Sequence, residues 1–114
     1  MKRNIKTFLL HILNSIKLIV DFTDNCTQEK FIKSDLIQNA TIRMIEIIGE
    51  AVKNLPESFK KKYPEVPWKE IAGTRDKLIH EYFGVDLKLT YKIAKENIPE
   101  LKKNILKILK EEFN

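Results

Sequence analysis

The chain has 114 residues, 21 of them Lys or Arg and 16 Asp or Glu, for a net charge of +5. That length suits a single domain with its own core, and 3 glycines and 4 prolines against a large stock of Ile, Leu, Lys and Glu exclude a turn-rich sheet protein and favour helices. The lone Cys26 excludes an internal disulfide, and with only His11 and His80 beside it there is no metal-ligand set of the usual spacing, so no metal or other cofactor is expected.

From Arg3 to about Phe22, Ile5, Phe8, Leu9, Ile12, Ile16, Ile19 and Val20 recur at helical spacing, and Leu10, Leu13 and Leu18 widen the apolar stripe. A helix this apolar is either central in a bundle or shared with a second subunit. Met1-Lys2-Arg3 and the apolar residues after it superficially resemble a signal peptide, but His11, Asn14, Ser15 and Lys17 interrupt the run and no small-residue cleavage site follows. The interrupted run also falls short of the about 20 apolar residues of a membrane span. The protein is therefore expected to be soluble and cytoplasmic, with no membrane partner, and the unpaired cysteine agrees with a reducing location.

Thr27 is placed to cap a short helix carrying Phe31 and Ile32, and Ser34 to cap a long one that runs to about Asn54, before Pro56. Ile37, Thr41, Met44, Ile48, Ala51, Val52 and Leu55 form its core stripe. Its opposite side carries Arg43, Glu46, Glu50 and Lys53 at spacings of three and four, a ladder that is either a solvated face or one that turns Glu46 and Arg43 towards the cluster of Arg75 and His80 or a subunit partner. The stretch from Pro56 to Pro67 reads as a short helix between loops. Its run Lys60-Lys61-Lys62 is a solvated surface or a set of phosphate contacts, as is Lys77 further on.

Pro67 suits the first turn of a helix that points Trp68 and Ile71 inward. Gly73 is expected to thin or interrupt that helix, and Gly84 to stop it just after Tyr82. Asp86 is placed to cap a further helix to about Glu96, and Asn97 with Glu100 resembles a capping box opening a last helix to about Phe113. The sum is a single all-α domain over 1–114, an up-and-down bundle of four to five main helices.

The chemistry concentrates between Gly73 and Gly84. Arg75 offers a planar fork for phosphate and for a pentacoordinate phosphorus, His80 an imidazole that exchanges protons near neutral pH, and Asp76 a carboxylate to orient it. Such groups suit metal-free RNA cleavage, in which RNA supplies its own 2′-hydroxyl. On a regular helix Asp76 and His80 share a face, and Arg75 and Tyr82 lie one above the other. Arg75 and His80, however, diverge by about 140°, so one segment would not close a site and a twofold dimer would. From the residues alone, a structural hydrogen-bond network of Arg75, Asp76 and His80 is the favoured reading, and Tyr82 reads as a helix-end aromatic.

The pattern Arg75-x-x-x-x-His80-x-Tyr82 resembles the R-x4-H-x-Y signature of HepT-like toxins, a branch of the HEPN domain superfamily. Ile42-Arg43-Met44-Ile45-Glu46-Ile47-Ile48-Gly49-Glu50-Ala51-Val52 and Pro67-Trp68-Lys69-Glu70-Ile71-Ala72-Gly73 resemble further blocks of that family in the same order. The resemblance implies an all-α homodimer with a composite ribonuclease site at its interface, in which Arg75 and His80 are catalytic. Asp76 takes the supporting polar position, often asparagine in relatives; it keeps an acceptor and lacks the amide donors. It also implies a neighbouring minimal nucleotidyltransferase antitoxin of the MntA type that transfers AMP to Tyr82, where added phosphodiesters would repel RNA. The competing reading is a non-catalytic helical binding module that partners the transferase.

Overall fold

A computed structural model describes residues 2–80 and 84–113. Helix α1 (Lys2–Thr23) runs through the centre and packs against α3 (Asp35–Asn54) on one side and α7 (Ile98–Phe113) on another. Its residues Leu9, Ile12, Ile16 and Ile19 are wholly buried, as their spacing requires, while Leu10 and His11 face outward. Asn25, at a φ of 54°, takes the left-handed conformation that asparagine tolerates and turns the chain out of α1.

The caps read from the sequence are present. Thr27 Oγ1 accepts from the Lys30 amide at the start of α2 (Gln28–Ile32), and Ser34 Oγ accepts from the Ile37 amide at the start of α3. Phe31 is fully buried, but Ile32 lies on the outer side of the single turn and stays exposed. Among the buried side-chain oxygens of the described residues, Thr41 Oγ1 in α3 has no hydrogen-bond partner.

After Pro56 the short α4 (Glu57–Lys61) leads to Tyr63, Val66 and Trp68, all buried in the main core. Trp68 Nε1 donates to the carbonyls of Lys60 and Tyr63 at 3.1 Å each, which satisfies the indole's polar end inside the core. The ring of Tyr63 donates its hydroxyl hydrogen to Glu112 on α7 at 2.5 Å. Burial first, and then the bonded Glu112 carboxylate, push this phenol above the ordinary tyrosine range.

Several lysines of the basic surplus serve the fold. Lys60 Nζ donates to the Val52 carbonyl at 3.2 Å, in the last turn of α3, and Lys95 Nζ to the Thr23 carbonyl at 2.9 Å, at the end of α1. Each carbonyl also accepts a backbone amide, from Leu55 and Cys26 at 3.1 Å, and both ammonium groups stand at a helix C-terminus, where the dipole favours positive charge.

Helix α5 (Trp68–Leu78) crosses α3 and differs from the sequence expectation at both glycines. It passes through Gly73 without a break, since one glycine inside an otherwise paired helix weakens it only modestly. It then ends at Leu78, short of Tyr82, and the chain leaves in extended conformation. Ile79–His80 (β1) pairs antiparallel with Gly84–Val85 (β2), Ile79 opposite Val85 and His80 opposite Gly84. Gly84, at a φ of 80°, takes a left-handed conformation that glycine adopts without a Cβ penalty.

Asp86 caps α6 (Leu87–Lys92) as expected, its carboxylate accepting from the Leu89 amide at 3.0 Å. The expected new start at Asn97 is absent: α6 continues through a π-helical segment, Ile93–Asn97, directly into α7. Pro99 has no N–H to offer the carbonyl one turn back and its ring would collide with that carbonyl. The wider π turn just ahead of it, with the Ile98 amide bonded to the Ile93 carbonyl, lets the helix run past the proline. Among the described residues the architecture is thus all-α, four long helical rods with two short helices and one pair of two-residue strands. No helix among the described residues is long and apolar enough to cross a membrane.

Candidate active site

Gly49 on α3 faces α5 so closely that a Cβ there would stand 3.2 Å from the Ala72 carbonyl oxygen. This bare patch sets the two helices together. One turn away on each, Glu46 and Arg75 meet: Arg75 Nε donates to Glu46 Oε2 at 2.8 Å. Their positions 46 and 75 are remote in sequence, and only the crossing brings them into contact. Of the charged ladder on α3, Glu46 therefore turns to the cluster on α5, while Glu50 and Lys53 form an exposed surface pair at 3.7 Å.

Asp76 lies beside the guanidinium, its Oδ1 3.6 Å from Nη1, an ion pair too long for a hydrogen bond. Arg43, Glu46, Glu50 and Lys53 from α3, with Arg75 and Asp76 from α5, line an open cleft of about 180 Å³. Its cations and carboxylates balance, so an anion held here is held by geometry more than by net charge.

His80 stands in β1, beyond the end of α5. The divergence of about 140° expected between Arg75 and His80 applied to a regular helix, and the helix stops before His80. Asp76 and His80 accordingly do not share one helical face. The His80 side chain, and Tyr82 altogether, lie outside the described residues.

The lysines divide. Lys60 is tied to Val52 and to Glu57, with its side chain only 13% exposed, and Lys62 pairs with Glu112 at 2.7 Å; Lys61 is exposed. Lys77 lines a different and larger groove of about 680 Å³ between α5, α6 and α7, whose rim carries Glu65, Glu70, Glu96 and Glu100. Lys77 and Lys92 also line it, so the four carboxylates leave the groove with a net negative charge. Among the described residues no cluster of three or more His, Cys, Asp or Glu is placed to hold a metal ion.

An arginine fork braced by a carboxylate at an open cleft is an arrangement with the hydrogen-bond donors to bind an anion. The chain belongs to the HepT-like ribonuclease family, whose model matches residues 12–108. It is 50% identical over 110 residues to a protein of Methanocaldococcus jannaschii named as an RNase, covering 96% of this chain and 91% of that one. It is 49% identical over 110 residues to a protein of Thermococcus cleftensis named as a ribonuclease HepT, covering 96% of this chain and 100% of that one. A longer Methanocaldococcus jannaschii protein, named as a gamma-glutamylcyclotransferase and RNase, is 53% identical over 111 residues, and the chain spans 50% of its length. No solved structure matches the chain. By family, this is an RNA-cleaving enzyme.

Arg75, Asp76 and Glu46 stand out in the sequence by their charge, whereas Gly49 does not. A glycine inside an apolar helical stripe is the available signal for a close helix crossing.

Proposed function

We propose that this chain is the toxin of a toxin–antitoxin pair, a metal-independent endoribonuclease acting in the cytoplasm. The observation that carries the reading is the Arg75 guanidinium, braced by Glu46 at the edge of an open cleft in a chain of the HepT-like family. Arg75 binds the scissile phosphate and stabilises the charge of the transition state. His80 serves as general acid or base. The RNA 2′-oxygen forms a bond to phosphorus as its proton passes to a base, and the bond from phosphorus to the 5′-oxygen breaks as that oxygen takes a proton. The products are a 2′,3′-cyclic phosphate and a free 5′-hydroxyl.

The site is composite, formed where two copies of the chain meet. In support, Leu36 is 80% exposed at the start of α3, and Leu36, Ala40, Arg43 and Ile47 follow one another at helical spacing along the flank that reaches the cleft. A second copy laid along this stripe covers Leu36 and brings a second Arg75 near the first. A cognate minimal nucleotidyltransferase silences the enzyme by moving AMP from ATP to the Tyr82 hydroxyl, with release of pyrophosphate. The added negative charge then stands a few residues from Arg75.

Cleavage rates of Arg75→Ala and His80→Ala test the assignment, each expected to fall by roughly 10² or more. Wild-type rates in either variant would refute it. For Tyr82, incubation with the transferase and ATP should add AMP mass to wild type; equal labelling of Tyr82→Phe would place the modification elsewhere. Intact RNA across several substrates would favour a binding module instead.

A further inference from the structure

An arginine that must present two N–H groups to a phosphate loses rotamer freedom on doing so, and Arg75 is half-exposed with long reach. We infer that Glu46 is the positioning residue that holds Arg75 ready for phosphate. This rests on the ribonuclease reading of Arg75.

The contact is specific in its geometry. Glu46 Oε2 receives Nε, the side edge of the guanidinium, at 2.8 Å. That choice leaves the end-on pair, Nη1 and Nη2, to take two phosphate oxygens in parallel hydrogen bonds. Asp76 does not compete for the role: its carboxylate is 82% exposed and 3.6 Å from Nη1, without a hydrogen bond to fix it. Glu46 is the better anchor because it is only 29% exposed and rises from the middle of a helix whose Ile45, Ile48 and Val52 are locked in the core. Arg75, by contrast, lies in the last turn of α5.

The bracing also depends on the crossing. Gly49 is one turn from Glu46, and Ala72 one turn from Arg75, so a close approach of the two helices lies beside the ion pair. The pair adds little to folding stability, since half-exposed ion pairs are worth at most about 1 kcal/mol. Its worth is orientation, where a small misplacement at a reacting centre costs up to about 10²-fold in rate.

The test uses the full chain, labelled with ¹⁵N in arginine, and an oligoribonucleotide substrate. In wild type and in Glu46→Gln, which keeps an acceptor for Nε, the Arg75 Hε resonance should exchange slowly with water; in Glu46→Ala it should not. Glu46→Ala should lower kcat roughly 10- to 100-fold with little change in KM, and Glu46→Gln should recover most of the loss. The double variant Glu46→Ala/Arg75→Ala should be no slower than Arg75→Ala, because Glu46 acts through Arg75. An unchanged rate in Glu46→Ala overturns the inference, and a raised rate shows that Glu46 sequesters Arg75. If wild type cleaves no RNA, the ribonuclease reading fails by itself. Inorganic phosphate then decides the positioning: Arg75 shifts seen in wild type and absent in Glu46→Ala uphold it, and equal shifts overturn it.

Discussion

Gly49 and Ala72 meet closely where α3 and α5 cross, so that a Cβ on Gly49 would lie 3.2 Å from the Ala72 carbonyl oxygen. The atom in the way is helix backbone, which yields less readily than a side chain. Replacing Gly49 by valine should destabilise the fold by roughly 1 to 3 kcal/mol, as overpacking does. It should also lower RNA cleavage by parting Glu46 from Arg75. Urea unfolding and cleavage rates on the same preparation check both; a variant that is as stable and as active as wild type would show that the crossing gives freely.

Thr41 is fully buried and its hydroxyl, among the described residues, is unpartnered. A buried hydroxyl without a bond has lost water and gained nothing in exchange. Thr41→Val keeps the shape and removes the polar atom, so the urea midpoint should rise by an amount equivalent to about 1 kcal/mol. A fall would mean the hydroxyl has a partner.

Tyr63 gives the fold an alkaline edge. Its folded-state pKa is raised, by burial first and by the Glu112 carboxylate second. The neutral phenol is therefore the form the fold favours. Its contribution is complete below the unfolded value of about 10 and is lost as pH rises through the higher folded value. Stability measured from pH 7 to 11 should fall more steeply near the alkaline end in wild type than in Tyr63→Phe. At pH 7 the variant should be weaker by about 1 kcal/mol. Parallel curves would show that the Tyr63–Glu112 bond does not set the phenol's titration.

Lys60 separates a structural lysine from a nucleic-acid contact. Its ammonium is bound to the Val52 carbonyl and to Glu57. Lys60→Met should cost about 1 to 2 kcal/mol of stability and leave the salt dependence of RNA binding unchanged. A shallower salt slope in the variant would return Lys60 to the phosphate contacts.

Much of the helical framework was legible in the chain because it is written locally. Thr27, Ser34 and Asp86 cap the helices they were expected to cap, and the buried positions of α1 follow its apolar spacing. Where the structure departs, the cause lies outside such local patterns. Gly73 is a residue expected to thin or interrupt α5, but a helix propensity penalty of about 1 kcal/mol does not stop a helix that is packed against α3. Asn97 and Pro99 carry the local signs of a helix start, yet a π turn accommodates the proline without one. The end of α5 at Leu78 is a hairpin effect, set by pairing between Ile79–His80 and Gly84–Val85.

For the site, the ladder on α3 showed which charges were available but not which one would reach Arg75. That depended on the rotation and spacing of two helices, set at Gly49. Because α5 ends at Leu78, the regular-helix angle between Arg75 and His80 does not bear on a two-copy site. The exposed Leu36 stripe now supports that proposal instead.

The most direct test of the account is incubation of the purified chain with RNA in a large excess of chelator, with analysis of the product ends. The account predicts cleavage at the metal-replete rate, with 2′,3′-cyclic phosphate on one fragment and 5′-hydroxyl on the other. Cleavage that stops with the chelator and returns with added divalent metal would contradict it.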